Sequence, residues 1–220
     1  VTSLPLALLV AAAGAVTVTY LAWREHQRRQ ARHRAIFDPI LGLFDNPKVT
    51  FAGNGLPLLE GNYKGQRLRV DLIPDTMTIR RLPQLWLSLT AITPLPLRNA
   101  GIAALVRPSG NDYYSLTERM SQRLDIPASF PQEIWVRGES LHSRKTLDKI
   151  TEAASRIFAE PKVKEIAATE RGVRIVYQLA EGKRGNYLLL RQSEFVDPKL
   201  APELLDGLAA QLSDLSRALT

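Results

Sequence analysis

Residues 4–23 read LPLALLVAAAGAVTVTYLAW, and residues 24–34 follow at once as REHQRRQARHR. The first stretch carries no charged side chain. As a helix its length would be ~30 Å, which is the hydrocarbon thickness of a bilayer. Tyr20 and Trp23 lie at its end, where aromatic rings favour the membrane interface. We therefore expect residues 1–23 to form a single transmembrane anchor.

Two other interpretations of this segment stay open. A cleaved signal peptide carries its positive charges before the apolar run, whereas here they follow it. A buried helix of a soluble protein can be equally apolar, although such a helix seldom runs this far into a basic cluster. For an anchor, the positive-inside rule predicts a single-pass protein of the cell inner (plasma) membrane. The basic cluster and the C-terminal domain would then be cytoplasmic.

The basic juxtamembrane segment, residues 24–37, predicts a contact with anionic lipids of the membrane. Each cationic side chain near an anionic leaflet contributes roughly 1 kcal/mol to membrane binding. The alternative is that these side chains only fix the topology. No aromatic residues alternate with them to stack on bases, so we expect no nucleic acid as a partner. The expected lipid contacts are Arg24, Arg28, Arg29, Arg32 and Arg34.

The predicted anchor also offers a surface to other helices. Residues 11–15 read AAAGA, and small side chains let two helices approach closely. This pattern predicts a homo-oligomer formed through the transmembrane helix. The alternative is an anchor that is simply rich in alanine.

Composition places the rest of the chain among ordinary globular domains. The 220 residues are 45% hydrophobic and 23% charged, which are common values for folded proteins. No cysteine is present, so disulfides and thiolate chemistry are excluded. The net charge is +7, but five Arg and one Glu in residues 24–34 supply +4 of it, which leaves +3 for the remainder. The large positive charge is therefore mainly a signal of membrane topology.

Residues 38–220 carry the pattern of an α+β domain built from antiparallel meanders and flanking helices. In residues 66–73, Leu68, Val70 and Leu72 alternate with charged residues, as in a strand with one buried face. Further strands are predicted at 49–52, 56–63, 85–92, 102–106, 133–137, 163–169, 173–179 and 186–192. Helices are predicted from Asp38 to Asn46-Pro47, over 116–124, over 144–159 and from Asp197-Pro198 onward.

Two similar hexapeptides suggest an internal repeat. FDNPKV at residues 44–49 parallels FAEPKV at residues 158–163, and each leads from a helix into a series of strands and turns. This predicts two similar helix-plus-three-strand halves, residues 38–107 and 144–220, joined by a linker region, residues 108–143. The alternative is coincidence, because a helix followed by proline and a strand is a common sequence.

No signature of catalysis or cofactor binding is present. The sequence lacks G-x-S-x-G, P-loop, G-x-G-x-x-G and H-E-x-x-H motifs. His142 is the only histidine outside residues 24–34, and we interpret it as a loop or cap residue rather than a general base. We therefore predict no catalytic residue, no cofactor and no metal.

Two surface features are the predicted binding sites of the domain. Tyr113 and Tyr114 follow residues 107–112, which read as an exposed loop, and they either contact a partner or fold back onto the core. Basic residues of the meanders would form a phosphate-binding face if the hairpins lie together. The alternative is a solvated sheet face whose charges prevent edge pairing. The residues of the predicted basic face are Arg67, Arg69, Arg174, Lys183 and Arg184.

Together these patterns predict a membrane-anchored, non-enzymatic binding or scaffold protein that acts at the cytoplasmic face of a membrane. Its expected partner is another membrane or membrane-associated protein. One alternative is a module that binds phosphate or anionic lipid head groups through the basic strand faces. The other is an enzyme whose active site carries no known signature.

Overall fold

The computed structural model describes residues 3–51, 53, 55–76, 82–182, 195 and 198–220, without the side chains of residues 3–11, 25, 26, 29, 30 and 34. In this part of the chain the helices are α1 (Ser3–Arg34), α2 (Asp38–Leu41), α3 (Ser143–Phe158) and α4 (Pro202–Leu219). Short 3-10 helices lie at Ala35–Phe37 and Leu116–Arg119. The strands are β1 (Asp45–Phe51), β2 (Pro57–Tyr63), β3 (Gln66–Asp75), β4 (Gln84–Ile92), β5 (Ile102–Val106), β6 (Gln122–Arg123), β7 (Ile134–Gly138), β8 (Val163–Thr169) and β9 (Gly172–Glu181).

All nine described strands join one antiparallel sheet, in the order β1-β2-β3-β4-β9-β8-β5-β7-β6. The first four strands form a meander, and β4 then pairs with β9 from Gln84↔Glu181 to Ile92↔Gly172. The prediction of an α+β domain with antiparallel meanders and flanking helices is therefore confirmed.

Helices α3 and α4 cover one face of the sheet, which we call the helix face. Leu85, Leu87 and Leu89 alternate along β4 toward this side and are completely buried. Leu147 of α3 and Leu212 of α4 belong to the same core. The helical period of the apolar residues in α3 and α4 supplies the matching stripes. Strand and helix periodicities in the sequence thus account for this core.

Helix α1 runs into the domain without a loop. The 3-10 helix Ala35–Phe37 continues it directly, and both Ile36 and Phe37 are buried in the core of the helix face. The N–H of Leu200, just before α4, donates a hydrogen bond of 3.1 Å to the carbonyl of Ile36. The C-terminal end of α1 is therefore fixed to the domain by packing and by a backbone hydrogen bond.

Among the helix residues whose side chains are described, we find no stretch that is long and apolar enough to cross a bilayer. This criterion does not support the anchor predicted for residues 1–23, which stays a prediction.

Several predicted boundaries were wrong at prolines. β3 was expected to end before Pro74 but continues to Asp75, with Pro74 opposite Leu85 of β4. The described pairs between β2 and β3 end at Leu59↔Val70. At Pro74, β3 is therefore paired with β4 on one side and with no described residue of β2 on the other. β1 likewise contains Pro47 and lies at the edge of the described sheet. Proline is tolerated at such edges because its missing N–H breaks no ladder hydrogen bond.

Other elements also differ from the expectation. The helix predicted over 116–124 is only the 3-10 helix Leu116–Arg119, followed by β6. The last helix was expected from Asp197-Pro198 onward but begins at Pro202, and residues 198–201 before it are not helical. The strand predicted at 186–192 lies outside the described residues.

The two predicted halves share one sheet. β5 belongs to the first half, residues 38–107, but it pairs with β8 of the second half and with β7 of the linker region. The two hexapeptides also differ locally, since Pro47 lies within β1 and Pro161 lies in the turn before β8. The internal repeat therefore stays a prediction. The sheet contains strands of both proposed halves and of the linker region between them.

Candidate functional site: the polar face of the sheet

The second face of the sheet, which we call the polar face, lies under residues 107–120, the covering segment. Trp86 of β4 and Val176 of β9 form a small apolar cluster there with Tyr114. A second cluster joins Ala103 and Ala167 to Met120. Trp86 therefore faces away from the leucines of β4, which belong to the core of the helix face. The covering segment packs on this face through both clusters.

A β-bulge in β8 supplies the polar contacts to the covering segment. Val163 pairs with Tyr177 and Glu165 pairs with Val176, so Lys164 is an extra residue in β8. A bulge re-aims side chains, and here two consecutive residues both reach the covering segment. Lys164 donates to the carbonyl of Arg107 at 2.6 Å, and Glu165 accepts from the N–H of Leu116 at 2.8 Å.

The ion pair of Lys164 and Asp112 is the most buried charged contact among the described residues. Its Nζ–Oδ1 distance is 3.2 Å, and the two side chains are only 3% and 2% exposed. Asp112 also accepts hydrogen bonds from the N–H of Ser109 at 2.6 Å and from the hydroxyl of Tyr114 at 3.3 Å. Burial and the Asp112 carboxylate raise the pKa of the Tyr114 hydroxyl far above its usual range, so this phenol stays a donor.

A second ion pair lies beside the first. Glu165 is completely buried, and it accepts hydrogen bonds from the hydroxyl of Ser115 at 2.7 Å and from the guanidinium of Arg174. Arg174 also donates to the carbonyl of Tyr114 at 3.1 Å. Its buried Nε has no hydrogen-bond partner within the described part of the chain. These two ion pairs fasten the covering segment to β8 and β9.

A cleft of about 170 Å³ opens beside the Lys164–Asp112 pair. Trp86 forms one wall, with its ring centroid 5.8 Å from the Lys164 Nζ. The buried carboxylate of Asp75 accepts a long hydrogen bond, 3.5 Å, from the indole N–H of Trp86. Carboxylate, ammonium, amide and indole groups therefore converge on one small space. The lining residues are Asp75, Gln84, Trp86, Arg107, Ser109, Asp112, Pro161, Lys164 and Gln178.

Two of the polar groups that line this cleft are engaged in contacts within the domain. Its Lys164 and Asp112 are already occupied by hydrogen bonds to the covering segment. Among the residues that the structure describes, no three His, Asp or Glu side chains are grouped so that they could hold a metal ion. A small polar ligand or a partner side chain could contact Asp75 and the face of Trp86.

The residues of the predicted basic face are partly brought together. Arg69 and Arg174 lie in one cross-strand row, on either side of Thr90. Each has an acidic partner, however: Arg69 lies 3.5 Å from Glu60, and Arg174 binds Glu165. Arg67 also lies 3.7 Å from Glu60. Lys183 and Arg184 lie outside the described residues.

The acidic neighbours make this row a mixed-charge surface. Burial raises the pKa of Asp71 above its usual value, whereas the positive charges of Arg69 and Arg174 oppose that shift. Arg69 lies 3.9 Å from the Asp71 carboxylate. A phosphate would have to compete with these carboxylates for the same guanidinium groups, which weakens the case for a phosphate-binding face.

The two predicted contact tyrosines have different environments. Tyr114 folds back and is buried against Trp86, with 5.8 Å between the ring centroids. Tyr113 keeps 54% of its surface exposed, and its hydroxyl donates to the carbonyl of Pro74 at 2.9 Å. Burial, and next the charge of Asp75, raise the pKa of the Tyr113 hydroxyl. Of these two tyrosines, Tyr113 alone therefore has an exposed aromatic ring.

The predicted lipid contacts lie on the C-terminal third of α1. Arg24, Arg28 and Arg32 are exposed and follow each other at intervals of four residues, which places them on one side of the helix. The side chains of Arg29 and Arg34 lie outside the described part of the structure.

Sequence reasoning missed the centre of the polar face. Residues 107–112 were expected to be an exposed loop, which is wrong for Asp112 because its carboxylate is buried against Lys164. One signal was present: β8 reads VKEIAAT, where two adjacent charged residues interrupt the period of two. Such an interruption indicates a bulge. It does not identify Asp112 as the partner of Lys164, because the two residues are far apart in sequence.

The buried ion pair gives a prediction for stability. Lys164→Met should lower the free energy of unfolding by about 3–5 kcal/mol, because it leaves the Asp112 carboxylate buried without its cation. Denaturant titration of the full chain, followed by tryptophan fluorescence, measures the loss. Arg156→Met is the control, since its ion pair with Glu152 is exposed and should contribute less than about 1 kcal/mol. Equal losses in the two variants would contradict this role.

Comparisons with known proteins give no relative for this arrangement. No protein-family model matches the chain, and neither a curated protein nor a solved structure does. The function proposed below is therefore argued from the geometry of the described residues and from the sequence pattern.

Proposed function

We propose that this chain is a membrane-anchored binding protein, in which α1 enters the bilayer and the α+β domain binds another membrane or membrane-associated protein at the cytoplasmic face. The observation that carries this proposal is the exposure of α1. All described side chains from residue 12 to residue 24 are exposed, among them Val16 at 70%, Val18 at 66% and Trp23 at 58%. An apolar helix that its own domain leaves uncovered needs another apolar environment.

The sequence of α1 favours lipid as that environment. A buried helix of a soluble domain would pack against the core, but the described apolar side chains of α1 do not. The uncharged run of residues 4–23 has the length of a bilayer core, and the switch to arginine at residue 24 is typical of a cytoplasmic membrane boundary. Tyr20 and Trp23, with ring centroids 6.2 Å apart, would lie at that boundary.

The surface around Tyr113 is the proposed partner contact of the domain. Tyr113 lies near the cleft, since its hydroxyl donates to the carbonyl of Pro74, which directly precedes the lining residue Asp75. An exposed aromatic ring next to a cleft with buried polar groups is typical of a binding surface. The Lys164–Asp112 pair holds the covering segment that carries Tyr113, so the ring is presented on a fixed backbone.

Membrane insertion gives the first test. Ala13→Arg places a charge near the centre of the uncharged run and should convert the protein from resistant to extractable by alkaline carbonate, since such a charge costs about 2.5–3.5 kcal/mol at the bilayer centre. Gln27→Arg adds the same charge after the predicted boundary and should stay resistant. Extraction of the unaltered chain, or full resistance of both variants, would argue against the anchor.

Orientation gives a second test. Because the chain has no cysteine, a membrane-impermeant maleimide can label a single introduced residue. Leu141→Cys, at a position 74% exposed in the domain, should react only after cells are permeabilised. Ser3→Cys, before the apolar run, should react in intact cells. Labelling of the Leu141→Cys variant in intact cells would reverse the proposed topology.

Partner contact at Tyr113 gives a third test. A photo-cross-linking amino acid in place of Tyr113 should give a discrete adduct with another membrane-associated protein in native membranes. The same amino acid at Glu152, an exposed position of α3, is the control and should give none. Absence of an adduct at Tyr113, or identical adducts at both positions, would count against a specific contact on this surface.

A further inference from the structure

We infer that only the first part of the basic segment contacts lipid head groups, through Arg24 and Arg28, and that the helix beyond them is a rigid spacer that keeps Arg32 and the domain away from the bilayer. This inference rests on the proposed membrane anchor. It separates three of the predicted lipid contacts, Arg24, Arg28 and Arg32, by their height along α1, and these heights are fixed because α1 is one unbroken helix.

The heights follow from helix geometry. α1 is one helix from Ser3 to Arg34, with a rise of about 1.5 Å per residue. If Trp23 marks the edge of the hydrocarbon, Arg24, Arg28 and Arg32 lie about 1.5, 7.5 and 13.5 Å beyond it. The head-group layer of one leaflet is only about 5–7 Å thick. Arg24 is therefore inside this layer, Arg28 is at its outer limit and Arg32 is well past it.

Side-chain direction extends the reach of Arg28. Cα–Cβ bonds in a helix tilt toward its N-terminus, which is the membrane side of α1 in the proposed topology. A long arginine side chain can therefore reach back to the phosphates from the outer limit of the layer. From Arg32 the same side chain, even when fully extended along the helix axis, would reach only the outer limit of the layer. At physiological salt the Debye length is ~8 Å, so the solution between Arg32 and the head groups partly screens the charge of Arg32.

The continuity of α1 into the domain opposes a bend that would lay the segment on the membrane. Ile36 and Phe37 are buried in the core, and the carbonyl of Ile36 accepts the N–H of Leu200. A bend that laid Arg32 on the surface would have to break the helix after Trp23, and this stretch contains no proline or glycine to favour a kink. A tilt near the usual value of about 20° shortens these heights only slightly.

The test compares two variants that remove one charge each from the same side of α1, one helical turn apart. The full chain is reconstituted in phosphatidylcholine vesicles, and electron paramagnetic resonance measures its selectivity for spin-labelled phosphatidylglycerol over spin-labelled phosphatidylcholine. Arg28→Gln should lower this selectivity about fivefold, the effect of one cation next to an anionic leaflet. Arg32→Gln should lower it less than about twofold, because its charge acts on the surface only through screening solution.

Equal losses in the two variants, or a larger loss for Arg32→Gln, would overturn the inference. Carbonate extraction of the same vesicles separates this outcome from failure of the anchor. Both variants resist extraction if α1 is inserted, so selectivity then reports only on which arginine touches lipid. Release of the unaltered chain by carbonate would instead remove the anchor on which the inference rests.

Discussion

The antiparallel pairing of β4 with β9 is the contact on which the rest of the structure depends. It joins the meander β1–β4 to the strands β8, β5, β7 and β6. Its register also decides which residues of β9 lie on the helix face and which lie on the polar face. Leu87 opposite Tyr177 continues the helix face, whereas Thr90 opposite Arg174 continues the polar face. Because successive residues of a strand point to opposite faces, a slip of one residue would exchange the two. The helices and the covering segment can both pack only if this register holds.

The two faces are covered by different kinds of interaction. On the helix face, the apolar stripes of α3 and α4 meet leucines and valines, and this burial is not directional. On the polar face, two small apolar clusters are combined with the buried pairs Lys164–Asp112 and Glu165–Arg174. Buried ion pairs add little net stability, since the desolvation cost offsets the attraction, but breaking one is costly. Their effect here is to allow only one position of the covering segment, and hence one position of Tyr113 beside the cleft.

The junction between α1 and the domain connects the fold to the proposed function. Ile36 and Phe37 are part of the core, so a force or an orientation imposed on α1 reaches the sheet without an intervening flexible loop. A domain attached in this way would present Tyr113 and the cleft in a set orientation to the membrane. Such an arrangement suits a protein that positions a partner near the bilayer better than it suits one that searches for ligands in solution.

The sequence by itself determined what depends on neighbours along the chain. It showed the uncharged run with its switch to arginine and the alternation of Leu68, Val70 and Leu72 in β3. It also predicted the strands at 85–92 and 102–106 and the helix over 144–159. Each of these follows from local periodicity, which one stretch of chain contains in full. Only the tertiary structure decided that Asp112 meets Lys164, that Arg69 and Arg174 share a row with acidic partners, and that β5 pairs with β8. The reason is physical: these contacts join residues far apart in sequence, and a single β-bulge in β8 decides which side chains reach the polar face. The prolines in β1 and β3 are a further example of what the sequence alone does not decide. A proline is tolerated in a strand where no other strand lies on its N–H side, and this depends on the tertiary structure.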